Sequence, residues 1–137
     1  MAHKILCAID GTPHSHRALE MAVEMATKLG AALTVCSVNI VTGSGRGPLI
    51  SMKPDSEIEG VLTSAVGDAE KAGVKEVKWV LLRSREAATG VVMYAEEGKY
   101  DIIITGTGDK TGISRLVLGS VAADIAGRAH CTVMIAR

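Results

Sequence analysis

Short apolar runs and helix-period segments alternate along this chain from end to end, and that alternation restricts it to one class of fold. Lys4 to Ile9 is a short buried strand, and Thr12-Pro13 then supplies an N-cap and a first-turn proline. Ala18, Leu19, Ala22, Val23, Ala26 and Leu29 follow at i, i+3, i+4 spacing, and Gly30 ends that helix. Ala32 to Val38 reads as a second strand. Ile58, Val61, Leu62, Ala65, Val66 and Ala69 mark a second helix that stops near Gly73. Val77 to Leu82 is a third strand, and Ala88, Val91, Val92 and Ala95 form the face of a third helix. Asp101 to Thr105 is a fourth strand. Leu118, Val121, Ala122, Ile125, Ala126 and Ala129 line a last helix, and Cys131 to Ala136 is a final strand. Val41 to Asp55, rich in Gly, Ser and Pro and without a period, is a long surface loop. Right-handed crossovers leave few topologies for this order. The expectation is an α/β fold, a single domain over residues 1–137 with an open five-stranded parallel sheet and helices on both faces.

The side chains fit that arrangement. The apolar fraction of 47% comes mostly from Ala, Val, Ile and Leu, with no Phe, 1 Trp and 2 Tyr. Small branched residues suit strands buried on both faces beneath helices. The shortage of aromatics also removes the stacking platforms that single-stranded nucleic acids use. Charge gives no footprint for DNA, RNA or an anionic membrane, because 15 basic residues balance 15 acidic ones. Cys7, Cys36 and Cys131 are far apart, odd in number and set in apolar runs, with no C-x-x-C. They read as buried reduced thiols rather than a zinc or redox pair. Met1-Ala2-His3-Lys4 opens no apolar leader, and no run approaches the ~20 residues of a membrane span. The expected location is the cytoplasm.

In a flavodoxin-like or Rossmann-like sheet of strand order 3-2-1-4-5, ligands bind at the carboxyl ends of strands 1 and 4, near the point where the winding reverses. Two features of the sequence fall there. Asp10-Gly11-Thr12 follows the first strand, and Thr105-Gly106-Thr107-Gly108-Asp109 follows the fourth. Glycines at a strand end let the backbone approach a ligand closely. Further along, Gly119-Ser120-Val121 opens an amphipathic helix, offering N–H groups and a hydroxyl to an anion. This is the outline of a phosphate cradle. Asp109 carries the wrong sign of charge for it. A carboxylate within ~4 Å of a phosphate costs about 1–4 kcal/mol, depending on effective dielectric. Either phosphate binding is weakened, or Asp109 recruits Mg²⁺ together with the phosphates.

These residues resemble the universal stress protein family over nearly the whole chain. The resemblance rests on Ile5-Leu6-Cys7-Ala8-Ile9-Asp10-Gly11-Thr12, on His16-Arg17-Ala18-Leu19, and on the segment from Gly106 to Arg137. The nucleotide-binding branch of that family carries G-x2-G-x9-G-[ST]. With Gly119-Ser120 as anchor, the first glycine is Gly106, whereas the second falls on Asp109, one residue after Gly108. The resemblance implies an adenine nucleotide, ATP or AMP, with or without Mg²⁺. It implies that Asp10 meets the base and that the backbone of Val38 contacts adenine. Backbone around Ala8, Ile9 and Gly106 would border the ribose. Gly119, Ser120 and Val121 would hold phosphate, and Thr105, Gly108 and Asp109 complete the nucleotide-binding set.

Several of these residues have plainer roles open to them. Asp10 is also a turn residue by type, Gly106 and Gly108 suit a tight turn, and Ser120 suits an N-cap. His14 and His16 have no carboxylate or cysteine to complete a metal set, and an exposed first helical turn accounts for them. Gly43-Ser44-Gly45-Arg46-Gly47 precedes no strand–helix junction, so it reads as a lid from which Arg46 or Lys53 reaches the ligand.

Two functions remain. One is a small cytoplasmic stress-response regulator whose partner interactions change with adenine-nucleotide occupancy. The other is a nucleotide-free dimeric interaction module of the same family. Enzymatic readings are weaker, since no G-x4-G-K-[ST] occurs and no aspartate ends the third strand as a phospho-receiver requires. Slow ATP hydrolysis or autophosphorylation rests on family analogy alone. The apolar strand Cys131 to Ala136 lies at a sheet edge, and the resemblance implies a homodimer formed through it.

Overall fold

The computed structural model describes residues 3–43, 45–108 and 118–137. Along the chain run β1 (Lys4–Ala8), α1 (Pro13–Leu29), β2 (Ala32–Thr42), β3 (Ile50–Ser51) and α2 (Asp55–Lys71). β4 (Val77–Ser84), α3 (Ala87–Glu97), β5 (Ile102–Gly106), α4 (Ser120–Arg128) and β6 (Thr132–Ala136) follow. The parallel strands lie side by side as β4-β2-β1-β5-β6. β1 and β5 are direct neighbours, with Ile5 opposite Ile102 and Cys7 opposite Ile104. Their carboxyl ends therefore open at the same place. The fold class is the α/β one read from the sequence.

One expectation needs correcting. The sheet has six strands among the described residues rather than five, and it is not wholly parallel. β2 runs past Val38 to Thr42, and β3, inside the expected loop, returns antiparallel with Val41 opposite Ser51 and Thr42 opposite Ile50. Asn39 is what holds this return in place. It is 1% exposed, its amide donates to the Lys53 carbonyl at 2.8 Å and to Asp55 Oδ1 at 3.0 Å, and its Oδ1 accepts from the Lys53 N–H at 3.3 Å. A buried amide satisfied on both sides costs little to bury, and it fixes where the chain turns back.

Strand alternation divides the core between two faces. Ile5, Cys7, Leu33, Val35 and Ile104 pack beneath α1 and α2, against Ala18, Leu19, Leu62 and Ala65. Leu6, Cys36 and Ile103 pack on the other face against Val91, Val92 and Ile125 of α3 and α4. Cys7 and Cys36 thus sit on opposite faces as free, fully buried thiols. Burial pushes both upward, Cys36 to about 12, so neither ionises at neutral pH. α1 begins as the sequence indicates: the Thr12 hydroxyl accepts from the Ser15 N–H, and Pro13 takes the first helical position. No helix among the described residues is long and apolar enough to cross a membrane.

Candidate functional site

A cavity of about 360 Å³ opens where the winding reverses, between the carboxyl ends of β1 and β5. Ala8, Ile9, Asp10, Val38, Thr105, Gly106, Gly108, Gly119, Ser120 and Val121 all line it. Asp109 lies outside the described residues. Ligand pockets commonly run from roughly 300 to 1,000 Å³, so a small organic molecule fits this space. Thr12, His14, Ser15, Ser37, Ala87, Val91, Thr107 and Ala122 are the other lining residues among those described. Val91 carried only a core signature in the sequence, and Ala87 carried none. Their part in the wall follows from α3 crossing the end of β2, which periodicity does not show.

On the β1 side the wall is set by a side-chain turn. Asp10 Oδ1 accepts from the Thr12 N–H at 2.9 Å and from the Thr12 hydroxyl at 2.6 Å. Partial burial raises the proton affinity of this carboxyl, but these hydrogen bonds, with others from Ser15 and the backbone, outweigh burial and leave it below the usual range. Asp10 is therefore a fixed anion at the mouth of the cavity. It makes the turn and lines the cavity at once.

On the β5 side two glycines are dictated by close backbone approach. A Cβ on Gly106 would stand 2.6 Å from the His14 carbonyl oxygen. A Cβ on Gly119 would stand 2.8 Å from the Thr107 carbonyl oxygen, the same atom that accepts the Gly119 N–H at 3.1 Å. Gly108, between them in space, has φ +89°, a conformation that side chains other than glycine rarely adopt. The α4 N-cap is Gly119 rather than Ser120, and no side chain caps this end. The first-turn N–H groups of an α-helix have no acceptor within the helix. At α4 they adjoin the cavity through Ser120, Val121 and Ala122.

The other candidates fall elsewhere. Neither Arg46 nor Lys53 lines the cavity, because the segment expected as a lid folds back along β2, where the Arg85 guanidinium donates to the Gly43 carbonyl at 2.8 Å. His16 turns outward and pairs with Glu20 at 3.3 Å, whereas His14 lines the cavity, so the two imidazoles do not act as a pair. A second cavity of about 450 Å³, a groove between α1 and α2, is lined by Gly11, Thr12 and Gly60 and lies away from Gly106, Gly108 and Gly119.

Relatives share this architecture. A universal stress protein of Methanocaldococcus jannaschii is 34% identical, covering 98% of this chain and 81% of its own length. A universal stress protein solved in complex with cAMP superposes with a TM-score of 0.79 at 24% identity, over 98% of this chain and 96% of that one. Another from Archaeoglobus fulgidus, solved in complex with dAMP, superposes with a TM-score of 0.75 at 24% identity, over 100% of this chain and 98% of that one. At such identities the two solved structures establish the fold alone. The sequence profile of the family itself matches residues 1–137. With the profile spanning the whole chain and a relative above the level at which homology is secure, this chain belongs to the universal stress protein family.

Proposed function

We propose that this chain is a stress-response regulator that binds an adenine nucleotide, ATP or AMP, in the cavity between β1 and β5. The observation that carries the reading is the glycine-walled approach of β5 to the start of α4. Gly106 and Gly119 let the β5 end pack closely on α1 and on the start of α4, and uncapped helical N–H groups adjoin the cavity. Two fold neighbours were solved with cAMP and with dAMP, ligands of the same chemistry. In this reading Asp10 and Val38 meet the base, and Ala8, Ile9, Thr105 and Gly106 border the ribose. Gly108, Gly119, Ser120 and Val121 take the phosphate. The second reading, a nucleotide-free interaction module, is favoured by Asp109 in place of the second motif glycine. Denaturing the purified protein and chromatographing what it releases, followed by calorimetric titration with adenosine, AMP and ATP, separates the two. Released or saturably bound adenine nucleotide is expected. A protein that saturates with none of these ligands is the interaction module.

The homodimer belongs to the same proposal. Both edges of the sheet, β4 and β6, have one paired neighbour among the described residues. β4 carries Lys78 and Arg83, charges that discourage a further strand. β6 has no charge from Cys131 to Ala136, and its Val133, Met134 and Ile135 are only half-buried. Pairing of β6 with its twofold mate covers them. Sedimentation velocity at micromolar concentration is expected to show a dimer, and monomer alone would remove β6 as an interface. The free thiols fit a reducing compartment, in line with action in the cytoplasm.

A further inference from the structure

The groove between α1 and α2 combines an apolar surface with an acidic wall. Ile9, Leu19, Val61 and Ala65 supply the first, and Glu57 and Asp68 stand on the α2 side. Glu57, Gly60, Val61, Ser64 and Asp68 recur at helical spacing, so one face of α2 carries them all. Between the two carboxylates this face is shallow. Gly60 has no side chain, a Cβ placed on it meets nothing within 4 Å, and Ser64 follows one turn on. Another backbone can approach closely there. At 1.5 Å per residue, Glu57 and Asp68 are about 16 Å apart along the axis, the length of a helix of about three turns.

The chain as a whole is neutral, with 15 basic and 15 acidic residues, but α2 is not. Its Asp55 is neutralised by Arg83. Glu57, Glu59, Asp68 and Glu70 share the helix with a single cation, Lys71. Among the described residues none of these four carboxylates forms an ion pair. Helix stability accounts for Glu57, since a carboxylate in the first turn complements the helix dipole. It does not account for Asp68 and Glu70 near the other end, where the dipole opposes negative charge. α2 packs on β2 and β4, away from the β6 edge.

We infer that this groove is a docking surface for one amphipathic helix of a partner protein. An apolar stripe of that helix fills the groove over Gly60 and Ser64, and lysines or arginines on its flanks meet Glu57 and Asp68. Charge complementarity selects the occupant: an acidic helix is repelled, and a neutral one leaves the α2 carboxylates without partners. The inference goes beyond the nucleotide reading and does not depend on it, although Ile9, Thr12 and Ser15 line both cavities.

The probe is a fluorescent peptide of about 15 Leu, Ala and Lys residues, patterned as one apolar stripe between two rows of lysine. Its control carries Glu at every Lys position. Anisotropy titrations with the full chain are expected to show saturable binding of the basic peptide that weakens as salt rises, and roughly tenfold or weaker binding of the acidic one. Gly60→Leu fills the groove without changing charge, and Leu favours a helix over Gly, so circular dichroism should show an intact fold. This variant is expected to bind the basic peptide roughly tenfold or more weakly. Asp68→Lys should weaken the basic peptide and strengthen the acidic one. No saturable binding of the basic peptide to wild type would overturn the inference. Equal affinity in wild type and Gly60→Leu would overturn it too, by placing the peptide on acidic surface outside the groove. A smaller assembly of Gly60→Leu in sedimentation velocity, without peptide, would make the occupant a second copy of the chain and overturn the partner helix.

Discussion

Gly119→Val is expected to abolish nucleotide binding, whereas Ser120→Ala, one residue on, is expected only to weaken it. A side chain on Gly119 begins 2.8 Å from the Thr107 carbonyl oxygen and 3.8 Å from Gly108 Cα, both backbone atoms that no rotamer change can move. The Gly119 carbonyl in turn accepts the Ala123 N–H at 2.9 Å, so displacing residue 119 displaces the start of α4. Relieving such overpacking costs about 1–3 kcal/mol. The ligand also loses the first-turn N–H groups, worth about 1 kcal/mol each. The overpacking falls on the fold, whereas loss of the first-turn contacts lowers affinity by roughly one to two orders of magnitude. Ser120→Ala removes a single hydroxyl and should cost about 0.5–1.5 kcal/mol. Gly67→Ala is the control: its Cβ meets nothing within 4 Å on α2, remote from the cavity, and binding should be unchanged. Calorimetric titration gives the affinities and circular dichroism checks that each variant is folded. Unchanged affinity in both Gly119→Val and Ser120→Ala would place the ligand elsewhere.

The cradle was legible in the sequence because local pattern and topology both point to it. Ile103-Ile104-Thr105 ends in glycine, and the β-α alternation alone brings that end beside Asp10. What the sequence did not disclose depends on partners distant in the chain. Asn39 looks like a polar stop to the second strand. Its burial becomes sensible only with Lys53 and Asp55, 14 and 16 residues later, so β3 and the extension of β2 could not be anticipated. The outward pairing of His16 agrees with the plain reading of an exposed first turn. His14 does not, since it is half-buried and lines the cavity beside Gly106. Gly106 shows a different kind of gap. The sequence marked it as a glycine for ligand approach, whereas the atom that excludes a side chain there is the chain's own His14 carbonyl. A glycine motif of this kind can therefore be required for helix–strand packing as well as for binding, and its presence alone does not establish a ligand.

Asp109 decides how strongly the nucleotide reading holds, and Asp109→Gly is the variant that tests it. The residue follows Gly108 directly, and Gly108 lines the cavity. Replacing the carboxylate by hydrogen restores the full G-x2-G-x9-G-S pattern and removes one negative charge directly after Gly108 in the chain. A like-charge contact at ~4 Å costs about 1–4 kcal/mol, and it weighs most on the ligand with the most phosphate. ATP without metal is therefore expected to bind Asp109→Gly several-fold to a hundredfold more tightly than wild type. Adenosine, which carries no charge to repel, should bind both proteins alike. Titrations with and without Mg²⁺ give the remaining distinction. If the carboxylate holds a cation together with the phosphates, the glycine variant loses ATP affinity only when Mg²⁺ is present. Equal ATP affinity in the two proteins, with and without the metal, would mean that the carboxylate takes no part in the site. The departure from the family pattern would then be no argument for a nucleotide-free module.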